Sequence, residues 1–350
     1  MLFAKKILVM GRTNATNFGD AIIADTCEYI IKKCAKEDKK RVQVKVVDVY
    51  EQDLDVWRNL LKKQNIVVYP GGGLNSVKFN HKLLKIFKVI AEKQKIQICF
   101  NAIGLLENNV NPKNEEILKK LLNHTQVKQV TTRGSYDQLK KYMIKDKKYP
   151  ATLVFDPAIW TGETYQIERN KESEIIGVGI IRPGIFMDNK NDFTEKNVFS
   201  MYEGIIRTLQ QRGYRWQLFT NGYADDYEFA KEFLERMGLS PAQYLGKKIV
   251  HKRQLVEQIA KYKAVIAARL HANIIATSLG IPSVALVWNE KMNYFAEIIG
   301  REEQYIQVEK LLDAAYIVDM MEKAIDVGYD TERIEKMKEK TISTIRNIYS

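Results

Sequence analysis

One structural unit recurs along the chain and limits the folds that it can adopt: an apolar strand, a turn containing Gly or Asn, and a helical pattern. Its first copy joins the strand KKILVMG to the pattern DAIIADTCEYIIKK, in which Ile23, Cys27 and Ile30 fall on one helical face. Near-continuous apolar strands that alternate with helices indicate parallel sheets covered on both faces. The series stops before the polar segment 161–173 and starts again after it. The sequence therefore predicts two doubly wound α/β domains.

The polar segment sets the predicted domain boundary. We predict an N-terminal Rossmann-like domain over residues 1–165 and a C-terminal one over residues 166–350, with the last helices packing back across the junction. A chain of 350 residues is too long for one ordinary core, which agrees with two domains. Doubly wound domains bind ligands at the carboxyl ends of their strands, so we expect the two sheets to face a central cleft.

Charge and cysteine content limit the class of protein. The formal net charge is +12, but the lysines are scattered and no aromatic residues are interleaved with them, which argues against a nucleic-acid partner. A solvated lysine-rich surface, binding of phosphorylated small molecules and peripheral contact with an anionic membrane are left open. No run reaches the roughly 20 apolar residues of a membrane span, and the first residues lack the order of a signal peptide, so we expect a cytoplasmic protein. Cys27, Cys34 and Cys99 lack metal or CxxC spacing and are expected to be buried free thiols.

Two turns in the first half are candidate ligand sites. The first, GRTNATNFGDAII, lacks the GxGxxG and GxxxxGK signatures, so it predicts neither a nicotinamide site nor a P-loop. Asn17 and Gly19 shape this turn, and Asp20 is either the N-cap of the next helix or a general base that acts on a hydroxyl. The second turn, YPGGGLNS, is either a tight connection or a place where backbone amides approach an anion or a sugar. Its candidate binding residues are Gly71, Gly72, Gly73 and Asn75.

The stretch AARLHANIIATSLGIP in the second half is the most informative. Arg269 and His271 bracket Leu270 at the start of a short apolar helix that a Gly-Ile-Pro sequence ends. A helix N-terminus favours anions, an arginine adds a planar fork of donors, and a histidine can exchange a proton near neutral pH. Arg182, after the strand EIIGVGII, and Lys291 are expected to reach the same site. The pattern predicts a pocket for a small anion, and no spacing of His, Cys, Asp or Glu predicts a metal.

Taken together, these motifs resemble the polysaccharide pyruvyl transferase family. The matching elements are NFGDAII, PGGGLNS, DPA and ARLHANIIATSLGIPSVAL with the downstream NEKMNYF, and they occur in family order over nearly the whole chain. One element departs from the pattern: in TTRGSYDQL, Gly134 stands where the family commonly has an aspartate, while Arg133 is retained. We therefore keep Arg133 as a candidate binding residue and expect no carboxylate chemistry beside it.

The resemblance implies a GT-B-like fold and transfer of a pyruvyl group from phosphoenolpyruvate to a sugar of a cell-surface polysaccharide or its precursor. The product would be a cyclic ketal, phosphate would be released, and no cofactor or metal is implied. The C-terminal side would hold phosphoenolpyruvate through Arg182, Arg269 and His271, with Leu270 contributing its backbone and packing, and the N-terminal side would hold the acceptor. Our hypothesis is that His271 protonates the methylene carbon and that Asp20 takes a proton from the sugar hydroxyl.

Two other functions stay open from the sequence. A GT-B-like glycosyltransferase would use Arg269 and Lys291 to hold the diphosphate of a nucleotide sugar, with the glycine turn facing the acceptor. A non-catalytic glycan-binding or assembly protein would keep the fold without the chemistry. For a pyruvyl transferase, the acceptor could be a lipid-linked oligosaccharide, a nucleotide sugar or a finished glycan, and the sequence favours none of these.

Overall fold

The computed structural model divides into two compact units, which are described separately. It describes residues 4–13, 16–50, 53–74, 76–92, 95–105, 112–134, 136–143, 152–188 and 192–350. Unit 1 comprises Met1–Ala15, Asp20–Pro157 and Ile334–Ser350, and unit 2 comprises Thr16–Gly19 and Ala158–Arg333. Each unit is built around one parallel sheet.

The sheet of unit 1 has seven strands, and its pairings are parallel. The strands are β1 (Lys5–Gly11), β2 (Val42–Asp48), β3 (Ile66–Tyr69), β4 (Gly72–Gly73), β5 (Gln97–Gly104), β6 (Val127–Thr132) and β7 (Thr152–Leu153). Their order is β2-β1-β3-β5-β6-β7, with β4 beside β5. Strand β3 is buried along its whole length, as coverage on both faces requires.

Five helices connect these strands, and their apolar faces form the core of unit 1. They are α1 (Phe18–Glu37), α2 (Leu54–Leu61), α3 (Val77–Ala91), α4 (Pro112–Leu122) and α5 (Tyr136–Lys140). Trp57 of α2 and Phe87 of α3 are buried in one cluster with Phe100 of β5. The sequence analysis did not identify α2, although its eight residues bury Trp57 and Leu61. It also did not identify β4, because two residues are too short to show a periodic pattern.

The sheet of unit 2 has five parallel strands in the order β12-β11-β10-β8-β9. They are β8 (Ile175–Gly179), β9 (Arg215–Phe219), β10 (Ala264–Ala267), β11 (Ser283–Leu286) and β12 (Tyr305–Ile306). The helices with residues in this unit are α6 (Thr161–Tyr165), α7 (Gly184–Asp188), α8 (Glu195–Gln211), α9 (Ala224–Arg236), α10 (Pro241–Tyr244), α11 (Lys252–Ile259), α12 (Leu270–Ser278), α13 (Glu290–Ile299), α14 (Ala314–Val327) and the start of α15 (Thr331–Tyr349). Strands β10 and β11 are wholly buried. The predicted α/β class with parallel sheets is confirmed.

The end of the chain belongs to unit 1. The backbone N–H of Phe155 donates to the hydroxyl of Thr341 at 2.9 Å, and the side-chain amide of Gln129 donates to the carbonyl of Thr344 at 3.0 Å. The hydroxyl of Tyr349 donates to Asp38 at 2.8 Å. These bonds fix the last part of α15 against the strands and first helix of unit 1.

The three cysteines are buried free thiols, as the sequence predicted. Burial raises the pKa of Cys34 to about 11 and that of Cys99 to about 12, and it raises the pKa of Cys27 further. A thiol must ionise before it acts as a nucleophile, so these groups serve the core rather than the chemistry. Within the described ranges, no helix is long and apolar enough to span a bilayer.

Candidate functional site

Three neighbouring strands of unit 2 bring the predicted cationic residues to one edge of its sheet. Strands β10, β8 and β9 are adjacent and parallel, so the loops after them begin side by side. Arg182 lies three residues beyond β8, and Arg269 lies two residues beyond β10. This carboxyl edge is where doubly wound sheets bind their ligands.

Asp226 joins the two arginines, and the sequence analysis did not single it out. Its side chain is fully buried near the start of α9. One carboxylate oxygen accepts a hydrogen bond from Arg269 Nη2 at 2.5 Å, and the other accepts from the backbone N–H of Arg182 at 3.1 Å. Because one carboxylate binds both segments, it fixes the loop after β8 against the loop after β10.

The guanidinium of Arg269 is held rigidly and keeps a donor for a ligand. Its side chain is 11% exposed, and its central carbon lies 4.6 Å from the ring centroid of Tyr223. Its Nε is buried and has no hydrogen-bond partner among the described residues. A buried charged donor without a partner costs roughly 1–3 kcal/mol, which an anionic ligand at that edge would recover.

The first turn of α12 adds further donors. Arg269 occupies the N-cap position and makes no side-chain cap, since a guanidinium has no acceptor to offer the backbone. The amide of Asn273 donates to the carbonyls of Ala267 and Arg269, both at 3.1 Å, and so fixes the strand-to-helix turn. The helix start therefore presents a partial positive charge and backbone N–H groups to an anion.

His271 is buried in this first turn, and the segment 16–19, which includes the first two residues of α1, packs on it. His271 is 6% exposed, whereas Leu270, the residue before it, is partly exposed. A Cβ placed on Gly19 would lie 2.6 Å from His271 Nδ1. The N–H of Phe18 donates to the carbonyl of Asn221 at 3.2 Å, and this bond connects the segment 16–19 to the rest of unit 2. Gly19 and His271 are thus in direct contact.

Replacing Gly19 with alanine is expected to lower both stability and activity. The added methyl group would lie 2.4 Å from His271 Cβ, so the side chain of His271 or the backbone that carries it must shift. Overpacking of this kind costs about 1–3 kcal/mol, against the up to about 1 kcal/mol by which alanine favours a helix over glycine, so we expect a lower melting temperature. Under the hypothesis that His271 is the general acid, its displacement by about 1 Å should also lower kcat about 10²-fold. Normal turnover in the alanine variant would show that the position of His271 is unimportant.

Arg182 and Lys291 are partly exposed cations near this edge. The side chain of Arg182 is 40% exposed and lies 3.9 Å from the exposed carboxylate of Asp225, a pair that contributes little to stability. Lys291 lies in the first turn of α13, after strand β11, which neighbours β10. Both residues therefore follow strands at the predicted edge of the sheet.

Unit 1 has its own candidate site, a cavity of about 130 Å³. The lining residues are Arg12, Asp20, Ile23, Tyr50, Tyr69, Pro70, Gly71, Gly72, Gly73, Ser76 and Phe79. Asp20 lies in the first turn of α1, two residues after the helix begins, and its carboxylate pairs with Arg12 at 2.9 Å. The N-cap interpretation of Asp20 is therefore wrong, because the helix starts at Phe18.

The three glycines bring backbone to the cavity, although not as a simple turn. Gly72 and Gly73 form strand β4 beside Ile103 and Gly104, and Gly71 has a φ of 144°, which a side chain would strain. The predicted tight connection is thus a short extension of the sheet. Asn75 lies outside the described residues.

The backbone of β5 is also distorted next to this glycine segment. Ala102 has a φ of 45°, and the pairing of β5 with β6 shifts register between Phe100 and Ile103. The hydroxyl of Thr131 accepts from the N–H of Ala102 at 2.8 Å, and the amide of Asn101 donates to the carbonyl of Pro70 at 3.2 Å. Such strain persists only where the surroundings enforce it, and it often marks a ligand site.

Tyr69 stays neutral and Arg133 stays charged at physiological pH. Burial raises the pKa of Tyr69, and the nearby carboxylate of Asp20 raises it further, so the phenol stays protonated. Arg133 is paired with the buried Asp156, and burial lowers the pKa of its guanidinium without removing the charge at physiological pH. Arg133 is not among the residues that line the cavity. Its ion pair with the buried Asp156 indicates that Arg133 stabilises the structure around the site in unit 1.

The family model of polysaccharide pyruvyl transferases matches residues 17–290. This chain belongs to the polysaccharide pyruvyl transferase family. The match includes Asp20 and the glycine segment of unit 1 as well as Arg182, Arg269 and His271 of unit 2. Lys291 and Arg12 lie just outside it. No curated protein matches this chain in sequence.

Solved structures show the fold class of this chain. UDP-GlcNAc 2-epimerase from Methanocaldococcus jannaschii is 12% identical, with a TM-score of 0.58 over 89% of this chain and 92% of that one. S. aureus MnaA, solved with UDP, is 11% identical, with a TM-score of 0.57 over 92% and 90% of the two chains. These structures have the GT-B fold, so the predicted GT-B-like class is confirmed. At such low identity the likeness concerns the fold alone.

Proposed function

We propose that this protein transfers the pyruvyl group of phosphoenolpyruvate to a sugar of a cell-surface polysaccharide or its precursor, forming a cyclic ketal and releasing phosphate. Membership of the family supports a transferase that acts on polysaccharide. One observation supports phosphoenolpyruvate as the donor substrate. The Nε of Arg269 is buried at the start of α12, where no side chain caps the helix, and it has no hydrogen-bond partner among the described residues.

Phosphoenolpyruvate presents a carboxylate and a phosphate close together, so its pocket must offer two sets of donors. In this proposal Arg269 Nε and the backbone N–H groups of α12 bind one anionic group. Arg182 and Lys291, which have partly exposed side chains, bind the other. The carboxylate of Asp226 offsets part of the positive charge of Arg269. The donors therefore stabilise the charge of the transition state mainly because their positions are fixed, as electrostatic catalysis requires.

His271 is the proposed general acid. As an imidazolium it donates a proton to the methylene carbon of phosphoenolpyruvate, which becomes the methyl group, and the adjacent carbon becomes electrophilic. One sugar hydroxyl adds to that carbon, and a second displaces phosphate to close the ketal. Of the two hydroxyl protons, one is taken by the base and returned through solvent to His271 before the next turnover, and the other leaves with phosphate. The reaction therefore needs no oxidant or reductant.

Unit 1 is the proposed acceptor side. Among the residues that line its cavity, Asp20 carries the one carboxylate, and Tyr69 remains a neutral phenol that can donate a hydrogen bond. Asp20 is therefore the proposed base for a sugar hydroxyl, with its position fixed by Arg12. The backbone of Gly71–Gly73 supplies polar groups of the kind that orient a sugar.

Ligand-dependent melting tests the donor. Phosphoenolpyruvate at about 100 times its Kd should stabilise the native protein by about 2.7 kcal/mol and raise its melting temperature by several degrees. Part of this rise in melting temperature should depend on Arg269. UDP-sugars added without phosphoenolpyruvate should not produce that part. Phosphate release should then require both phosphoenolpyruvate and an acceptor. A shift with UDP-sugars and none with phosphoenolpyruvate would support the glycosyltransferase instead.

A further inference from the structure

The loop after β9 lies at the same edge of the unit 2 sheet, and the proposed mechanism does not use it. Strand β9 pairs with β8 and is followed by Thr220, Asn221 and Gly222 before α9. Asn221 is 1% exposed, and its side-chain Nδ2 is buried without a hydrogen-bond partner among the described residues. Since buried polar groups in folded proteins are nearly always hydrogen-bonded, this amide indicates a partner that comes from outside the chain.

One set of contacts places Asn221 close to His271. The carbonyl of Asn221 accepts a hydrogen bond from the backbone N–H of Phe18 at 3.2 Å. Gly19, the next residue, is in contact with the side chain of His271. Asn221 and His271 therefore contact the same two-residue segment, 18–19.

A second contact places Asn221 close to Arg269. The ring centroid of Tyr223 lies 4.6 Å from the guanidinium carbon of Arg269. Tyr223 is two residues after Asn221, and two residues span at most about 7 Å. The Nε of Arg269 is likewise buried without a partner among the described residues. Two donors that lack partners thus lie on neighbouring segments of one site.

Gly222 fixes the backbone that carries Asn221. Its φ is 109°, and a Cβ at this position would lie 2.2 Å from the ring of Phe18 and 2.9 Å from the carbonyl oxygen of Thr16. Only glycine allows so close an approach of the two segments. The loop is therefore held in place before any ligand binds, which is what a preorganised binding residue requires.

We infer that Nδ2 of Asn221 donates a hydrogen bond to the anionic group of the donor substrate that Arg269 Nε binds. The inference rests on the proposed function, which identifies that substrate as phosphoenolpyruvate. An amide bonded to an anion makes a charge-assisted hydrogen bond without adding charge to the pocket, so Asn221 contributes orientation. The loops after β8, β9 and β10 would then all contact the donor.

A buried water is the competing explanation for the unpartnered amide. The Oδ1 of Asn17 is also buried without a partner among the described residues, and Asn17 directly precedes Phe18. One water could accept from Asn221 and donate to Asn17. Such a water would serve the stability of the loop and would leave the affinity for phosphoenolpyruvate unaffected by Asn221.

Replacement of Asn221 by leucine tests the inference, because leucine has a similar volume and no donor. Without ligand, the melting temperature should stay the same or rise, since an unpartnered buried donor is removed. The Kd for phosphoenolpyruvate, measured by calorimetry, should rise roughly 10- to 100-fold. Asn221→Asp, which places a negative charge beside the anion, should weaken binding at least as much. Asn59→Leu, at an exposed asparagine of α2, is the control and should change neither Kd nor melting temperature by a comparable amount.

A double-mutant cycle tests whether Asn221 and Arg269 bind the same group. Arg269→Lys keeps a positive charge for Asp226 but has no Nε donor. Since two donors on one group are coupled, the Kd of the double variant should be at least threefold lower than the product of the single effects predicts. Effects that simply multiply would mean that the two donors do not share a group, which would overturn the inference.

The remaining outcomes separate the inference from the proposed function. A normal Kd for phosphoenolpyruvate in Asn221→Leu would show that the amide holds only a water with Asn17, and would overturn the inference while the proposed function stands. A wild-type protein that does not bind phosphoenolpyruvate would overturn the proposed function, and the inference with it.

Discussion

Replacement of His271 by glutamine is expected to lower kcat for pyruvyl transfer by roughly two to four orders of magnitude, the usual contribution of a general acid. Glutamine is similar in size and can hydrogen-bond, so it can fill the buried site beside Gly19. It cannot deliver a proton to carbon. Phosphate release at saturating phosphoenolpyruvate, with acceptor present, measures the effect.

The control for His271 is a histidine that lies elsewhere. His81 is exposed on α3, and His81→Gln should leave kcat unchanged. The His271→Gln variant should still be stabilised by phosphoenolpyruvate, because Arg269 and the start of α12 remain in place. If this variant turned over at nearly the normal rate, the proton would have to come from another group.

The sequence predicted the fold well because the signals for it are local. Strands such as β3 and β10 are continuous apolar runs, since helices cover both faces of each sheet. Several of the turns that follow strands contain Gly, Asn or Pro, as in Pro70 and Gly71 after β3. The start of α12 and its end near Gly280 could be recognised in the same way. The two-residue strands β4 and β12 could not, because two residues have no periodicity.

The site was less predictable because it depends on contacts between distant segments. Asp225 and Asp226 read alike in the sequence, as two acidic residues in the first turn of a helix. In the structure Asp225 is 80% exposed and Asp226 is fully buried against Arg269. The contact of Arg12 with Tyr50 at the unit 1 cavity was missed for the same reason, since the two residues are brought together only by the pairing of β1 with β2.

Replacement of Asp226 by asparagine is expected to destabilise unit 2 and weaken binding of phosphoenolpyruvate together. The introduced amide oxygen can still accept from the N–H of Arg182, but the charge that pairs with Arg269 is lost. Breaking a buried ion pair on one side costs about 3–5 kcal/mol, which corresponds to a melting temperature lower by roughly 6–20 °C. The KM for phosphoenolpyruvate should rise at least tenfold as the guanidinium loses its orientation.

A double variant distinguishes positioning of Arg269 from mere support of the fold. When both charges of a buried pair are replaced by groups of similar volume, stability is often retained. Asp226→Asn combined with Arg269→Met should therefore recover most of the lost melting temperature, because methionine can pack on Tyr223 without needing a partner charge. It should not recover binding of phosphoenolpyruvate, since the Nε donor is gone. A stable double variant that binds phosphoenolpyruvate normally would mean that Asp226 and Arg269 hold the strand ends together and do not hold the substrate.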